Sequence, residues 1–205
     1  MKKFFYKISH IKEAIRDIKS GIPVIVVDSA DRENEGDLVI AAQKADVDNI
    51  SFCMRYARGL MCIPCDGKIL DRLKIPMMVK KTEDPLETPF TVSVDATTTS
   101  SGMSVYDRLR TIRVFLNKNS TARQLQRPGH MFPLRPRNKL LKERQGHTEA
   151  SIVLMKLAQL KEVAIIVEII NDNGTMARGA DLKLFAKKHN LKIISIDEII
   201  KAFYN

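Results

Sequence analysis

Helices and short apolar strands alternate along the 205 residues, and some strands follow one another directly. With 44% hydrophobic residues, few glycines or prolines and no internal repeat, this order predicts one α+β domain over 1–205: a mixed sheet flanked by helices.

Ile8, Ile11, Ile15 and Ile18 recur at helical spacing, with Ser9 as a cap and Gly21 and Pro23 as a stop, so an amphipathic helix opens the chain. The runs 22–27 and 37–42 are short and β-branched, which predicts two strands joined by a polar loop. A helix over 46–58 ends at Gly59 and a strand over 60–64 follows. The Pro- and charge-rich stretch 75–89 reads as a mobile loop ahead of a strand over 90–95. Ser104 and Asp107 have capping-box-like spacing at the head of a helix reaching about Leu116. Beyond it the middle of the chain is less regular. A further helix begins near Thr148, and an almost wholly apolar strand covers 163–170. A helix over 180–189 and a strand over 191–196 lead into a last short helix.

The formal charge is +10, and its position matters more than its size. Residues 108–145 hold eleven Lys or Arg against one acid, Glu143, and so carry the whole excess. Concentrated arginine suits a phosphate or carboxylate partner, whose oxygens match the guanidinium fork. Composition alone does not separate a sugar phosphate from RNA. No stretch approaches the roughly 20 apolar residues of a membrane span, and no signal-peptide core follows the N-terminal lysines, so a cytoplasmic protein without membrane contact is expected. Cys53, Cys62 and Cys65 are too few for a disulfide framework and read as reduced thiols. Cys62 and Cys65 form a C-x-x-C pair, but zinc would need two more ligands, and redox pairs open a helix where Cys62 is expected in a strand.

Four segments carry the chemistry. In Asp28-Ser-Ala-Asp-Arg-Glu-Asn-Glu-Gly-Asp37, five carboxylates surround one arginine, a composition that suits a hard divalent cation, while a solvated acidic turn is the commoner meaning of an acidic loop. Arg127-Pro-Gly-His-Met-Phe-Pro-Leu-Arg135 and Arg144-Gln-Gly-His-Thr-Glu-Ala-Ser151 each place a Gly-His pair after a basic residue. A close-approaching backbone there precedes a side chain able to ligate metal or move a proton. In the latter, the helix start beside Arg144 offers free N–H groups to a phosphate, or is an ordinary capped helix. Glu168-Ile-Ile-Asn-Asp-Asn-Gly-Thr-Met-Ala-Arg178 puts a carboxylate near the end of an apolar strand, where it must be paired, ligating or raised in pKa.

Taken in order, DRENEGD, RPGHMFPLR, GHTEAS and EIINDNGTMAR resemble the 3,4-dihydroxy-2-butanone 4-phosphate synthase family of riboflavin biosynthesis, and the likeness runs from the first helix to the last. The resemblance implies a lyase converting D-ribulose 5-phosphate to L-3,4-dihydroxy-2-butanone 4-phosphate and formate. It implies magnesium, or manganese, as two ions per active site ligated by Glu33 and His147. Arg32, Glu33, Asp37, Arg144, Gln145, Gly146, His147, Thr148 and Glu168 then hold the substrate. His130 and Glu168 match positions essential for catalysis, Cys62 matches an active-site cysteine, and Asp37 is a further acid–base candidate. In the implied chemistry, chelation of the ketose oxygens acidifies the proton on carbon 3 and stabilises an enediolate. The skeleton then rearranges and carbon 4 departs as formate, with no net loss of water. The resemblance also implies a homodimer with active sites near the subunit interface. Many members carry a fused GTP cyclohydrolase II domain, for which 205 residues leave no room, so a monofunctional form is expected.

Two departures from the family pattern stand out. Ser100-Ser-Gly-Met-Ser-Val105 replaces Thr-Thr-Gly-Ile-Ser-Ala but keeps the hydroxyls and the glycine. Asn138-Lys-Leu-Leu141 replaces Asp-Gly-Gly-Val, so Lys139 and Leu140 stand where a glycine pair is usual, and altered backbone geometry is expected there. Two other readings compete: a homologue that binds without turnover, which the intact catalytic set opposes, and a basic nucleic-acid-binding domain. The basic segment lacks an RNA-recognition aromatic pattern, a zinc finger and a clear helix-turn-helix, so no nucleic-acid partner is expected.

Overall fold

The computed structural model describes residues 11–204; Ile8 and Ser9, assigned to the first helix by spacing, lie outside the described residues. Strands β1 (Val24–Val27), β2 (Gly36–Ala41), β3 (Cys62–Pro64), β4 (Val94–Ala96), β5 (Leu125–Leu134), β6 (Ala164–Glu168) and β7 (Lys192–Ser195) form one sheet in the order β4-β5-β3-β6-β2-β1-β7. The pairs β1–β7 and β3–β5 are parallel and the others antiparallel, which makes the sheet mixed, as expected. Its helices are α1 (Ile11–Ser20), α2 (Val47–Phe52), α3 (Gly67–Arg72), α4 (Val105–Leu116), α5 (His147–Leu157), α6 (Ala180–His189) and α7 (Ile196–Tyr204).

Strand alternation divides the core in two. Val24, Val26, Val39, Ala41, Ala164 and Ile166 face one side and pack against Ile18 of α1, Val153 of α5 and Ile199 of α7. Ile25, Leu38, Ile40, Ile165 and Val167 face the other, against Ile50 of α2, Leu70 of α3, Ile112 of α4 and Leu182 of α6. A sheet covered on both faces has no polar side, which is why these strands read as unbroken apolar runs. Each fully buried Ile or Leu contributes about 1.5–3 kcal/mol, so the two faces, far more than the loops, hold the fold.

Element ends follow from local chemistry. Gly21 (φ 84°) closes α1, and β1 starts only at Val24, after Pro23. Asp46 and Asn49 form a reciprocal capping box on α2, which runs on as a π-helical turn, Cys53–Ala57, to a left-handed Arg58. The short α3, capped by Asp66, has no counterpart in the sequence reading. Across 75–89 the chain doubles back: Met78 N–H donates to the Phe90 carbonyl, and Asp84 accepts from the N–H groups of Leu86 and Thr88. The strand expected over 90–95 is reduced to bridges at Phe90 and Thr91 and to β4.

The largest difference from the sequence reading is β5, a ten-residue strand where the pattern was irregular. Pro128, Gly129 and Pro133 disguise it, because proline cannot donate to a ladder and glycine weakens one. The pairs Asp95–Gln126 and Val94–Met131 leave Arg127 to His130 without partners on β4. The Arg-Pro-Gly-His motif is thus a bulge, a device that re-aims a side chain.

Much of the basic segment is engaged internally. Arg110, Arg135, Arg137 and Arg144 pair with Asp107, Asp71, Glu87 and Glu149, while Arg108 and Arg127 donate to backbone carbonyls. Leu140, one of the two residues replacing glycines, sits at φ 50°, the left-handed region that glycine occupies without strain. Among the described residues no helix is long and apolar enough to cross a membrane.

Candidate active site

Asp28 follows β1 on the face covered by α1, α5 and α7. Its buried carboxylate accepts from the N–H groups of Glu33 (3.0 Å) and Glu35 (2.9 Å) and from Arg32 Nη1 (2.9 Å). The acidic loop therefore folds around its own first residue. Outside it, Arg178 Nη2 pairs with Glu35 Oε1 at 2.6 Å and Nε donates to the Glu33 carbonyl. Arg32 also donates to the Glu33 carboxylate. These contacts fix the path of the backbone through Glu33.

Sheet register brings in the next three groups. Asp37 on β2 lies opposite Glu168 on β6, and Cys62 on β3 lies opposite Ile166, two residues earlier on the same face as Glu168. Glu168 Oε2 accepts from the Leu60 N–H at 2.7 Å. His147, the first residue of α5, directs Nδ1 to within 3.6 Å of Glu33 and 4.0 Å of Asp37. Its Nε2 is buried without a hydrogen-bond partner among the described residues.

Asp28, Glu33 and His147 offer ligand atoms that lie within 4.8 Å of one another. Carboxylate oxygens with an imidazole suit a divalent cation, and no group among the described residues satisfies the buried Nε2. The residues fit a metal.

Electrostatics agree. Burial alone would lower His147, but Asp37, Glu33 and Asp28 outweigh it and carry the imidazole to about 9. Burial would raise Glu33, yet His147 and Arg32 hold it below the usual carboxylate range. Asp37 and Glu168 are raised, mainly by burial and by the neighbouring carboxylates. Burial, with Glu168 and Asp37 beside it, pushes the Cys62 thiol well above its ordinary value, so it stays protonated.

On the opposite wall, Arg144 is braced by the fully buried Glu149 (2.7 Å) and by the Leu86 carbonyl (3.0 Å). A Cβ on Gly146 would lie 2.2 Å from Arg144 Nη1, so the guanidinium can fold across the helix start only because that residue is glycine.

Arg32, Glu33, Asp37, Cys62, Arg144, His147, Thr148 and Glu168 come together around one cavity of about 250 Å³. Three residues expected at the site are not on its walls. Gly146 is buried beneath Arg144, and Gln145 is exposed. His130 opens instead into a separate cavity of about 340 Å³ beside Gly59, Leu60 and Arg108. The sequence reading assigned no role to Asp28, Glu149 or Asp84, which also lines the first cavity. Asp28 and Glu149 stood inside flagged motifs, whereas Asp84 lay in a stretch read only as loop.

Comparison with known proteins accords with this geometry. Residues 12–202 match the family model of 3,4-dihydroxy-2-butanone 4-phosphate synthase. The chain is 47% identical over 199 residues to the riboflavin biosynthesis protein RibBA of Aquifex aeolicus, covering 96% of this chain and 49% of that protein. It is 40% identical over 195 residues to the 3,4-dihydroxy-2-butanone 4-phosphate synthase of Campylobacter jejuni, covering 95% and 58%. The chain thus spans about half the length of the curated relatives it matches. A crystal structure of 3,4-dihydroxy-2-butanone 4-phosphate synthase in complex with two magnesium ions superimposes with a TM-score of 0.90 at 36% identity, over 95% of this chain and 96% of that one. Motifs, fold and comparisons agree, and the chain belongs to the 3,4-dihydroxy-2-butanone 4-phosphate synthase family.

Proposed function

We propose that this chain is a cytoplasmic, metal-dependent lyase that converts D-ribulose 5-phosphate to L-3,4-dihydroxy-2-butanone 4-phosphate and formate, acting as a homodimer of this domain. The observation that carries it is the meeting of the half-buried Glu33 with the buried His147, whose Nε2 has no partner among the described residues. Glu33 and His147 would hold two magnesium ions, or manganese, as supported by the related structure with two magnesium ions. When bound, such ions supply Lewis acidity toward the adjacent oxygens of the ketose.

The remaining residues bind and move protons. Arg144, Thr148 and the free N–H groups from Gly146 onward bind the phosphate at the start of α5, where the helix dipole favours an anion. Gln145 contributes from the rim through its backbone. Arg32 orients the sugar hydroxyls. Asp37, raised to about 7, and Glu168, raised above the usual carboxylate range by burial, exchange protons with substrate. Cys62 acts as a thiol hydrogen-bond donor and not as a nucleophile. His130 serves the cavity of the second copy, since within its own chain it opens elsewhere.

Formate release from ribulose 5-phosphate tests the proposal. We expect release with magnesium, none with EDTA, and a fall of about 10³-fold or more in Glu33→Ala, the several kcal/mol a Lewis acid contributes. Folded, magnesium-loaded wild type that releases no formate would overturn it.

A further inference from the structure

The bulge in β5 delivers His130 onto a second buried carboxylate. Asp95, on β4 and 1% exposed, accepts the His130 backbone N–H on Oδ1 at 3.0 Å, and its Oδ2 lies 2.7 Å from ring Nδ1. The other edge of the ring faces out, leaving the side chain 46% exposed beside the 340 Å³ cavity. Backbone roofs the pair: Gly102 has φ 80°, and a Cβ there would lie 2.1 Å from Asp95 Oδ2 and 2.5 Å from His130 Nδ1. That roof is itself fixed, because Asp107 accepts from the Ser100 N–H, the Ser100 hydroxyl and the Gly102 N–H. Arg108 from α4 donates to the His130 carbonyl at 3.3 Å, and Arg58 lines the same cavity. The charged groups around the ring are thus Asp95, Arg108 and Arg58.

An ionised carboxylate only accepts hydrogen bonds, so the ring proton must sit on Nδ1 and the lone pair on Nε2. We propose that Asp95 is a positioning residue for the lyase reaction: it fixes His130 in the tautomer whose Nε2 accepts a proton from the substrate. The proposal rests on the role assigned to His130 above. The competing role for Asp95 is to tie down the bulge through the His130 N–H.

Asp95→Asn separates the two. The amide oxygen can still accept the backbone N–H, while the amide NH₂ donates to Nδ1 and drives the ring proton to Nε2. We expect kcat to fall about 10²–10⁴-fold with KM changed less than about twofold, by analogy with carboxylate-to-amide changes behind other catalytic histidines. The thermal midpoint should move little, and ¹⁵N spectra of the neutral imidazole should show the proton exchanged between nitrogens. A variant with the tautomer switched and kcat within about threefold of wild type overturns the proposal, as does a variant whose tautomer does not switch. A wild-type spectrum with the proton on Nε2 overturns it whatever the variant does, so the test survives a variant that fails to fold. His130→Gln keeps the two layers distinct. If it retains turnover, the role of His130 itself falls; if it is inactive while Asp95→Asn is active, only the role of Asp95 falls.

Discussion

Around the 250 Å³ cavity, Glu33, Asp37, His147 and Glu168 converge from the acidic loop, β2, α5 and β6, with Asp28 accepting the Glu33 N–H behind them, and most of their charge is buried. At the His130 corner there is one ring and one carboxylate, and the cavity beside them is walled by Met54, Leu60 and Met103, all left 36% or more exposed. Crowded buried carboxylates call for a cation, since unpaired charge in a dry site is costly. A half-exposed ring ringed by exposed apolar side chains calls for a covering surface. The two regions thus lack different things, and the homodimer proposed above would cover the second while bringing His130 to the first.

The largest effect should come from setting the regions against each other in trans. Glu33→Ala and His130→Ala should each be nearly inactive, yet their mixed dimers should regain about a quarter of wild-type activity, because each two-fold heterodimer rebuilds one intact site. Mixing without recovery, in a preparation shown to exchange subunits, would place both residues in one chain's site.

Beside the cavity, Asp28→Asn keeps one acceptor for the loop and removes a charge. We expect magnesium affinity to weaken by about 10–100-fold, read as a shift in the magnesium concentration for half-maximal formate release, with activity restored at high metal. Loss that magnesium does not restore would make Asp28 part of the chemistry.

Asp107 probes the roof of the other region. Burial alone would raise its carboxyl, but hydrogen bonds from Ser100, Arg110 and Ser104 hold it well below the usual range. A carboxyl lowered by folding stabilises the protein above its unfolded pKa of ~3.9, and that contribution is lost as pH falls below it. Asp107→Asn should therefore melt below wild type at pH 7, and the gap should narrow below about pH 4. A gap independent of pH would mean that shape, not charge, holds the roof.

The smallest effect is expected at Leu140. Relief of left-handed strain is worth about 1–2 kcal/mol, while Leu140→Gly forfeits part of the roughly 1.5–3 kcal/mol of a side chain packed against the core. Urea unfolding should show a net change within about 1 kcal/mol; a larger loss would show that packing outweighs strain beside Arg144.

Where apolar period and cap agree, the chain was legible. Strand β2 and helices α4, α5 and α6 lie within a residue or so of their expected positions. The acidic run and the Gly-His-Thr motif also named in advance most of the groups that meet at the cavity. Strand β5 was not legible, because its signal is non-local: Pro133 lies opposite Ile63 in a strand 60 and more residues away, and only that partner makes the segment a strand. The partnership of Asp95 with His130, 35 residues apart, was invisible for the same reason. Nor could spacing show that His130 opens away from Glu33. Motif order says which residues are chemical, not which side of a sheet a bulge will present.

The pairing of Asp37 with Glu168 has a further consequence. The register that sets these carboxylates side by side also turns Val39, Ala41, Ala164 and Ile166 toward α1, α5 and α7. A slip of one residue would carry Asp37 to the opposite face and would turn half the core outward in the same stroke. Over evolutionary time this strand pair can absorb many substitutions but no insertion or deletion, and changes of length are left to the loops.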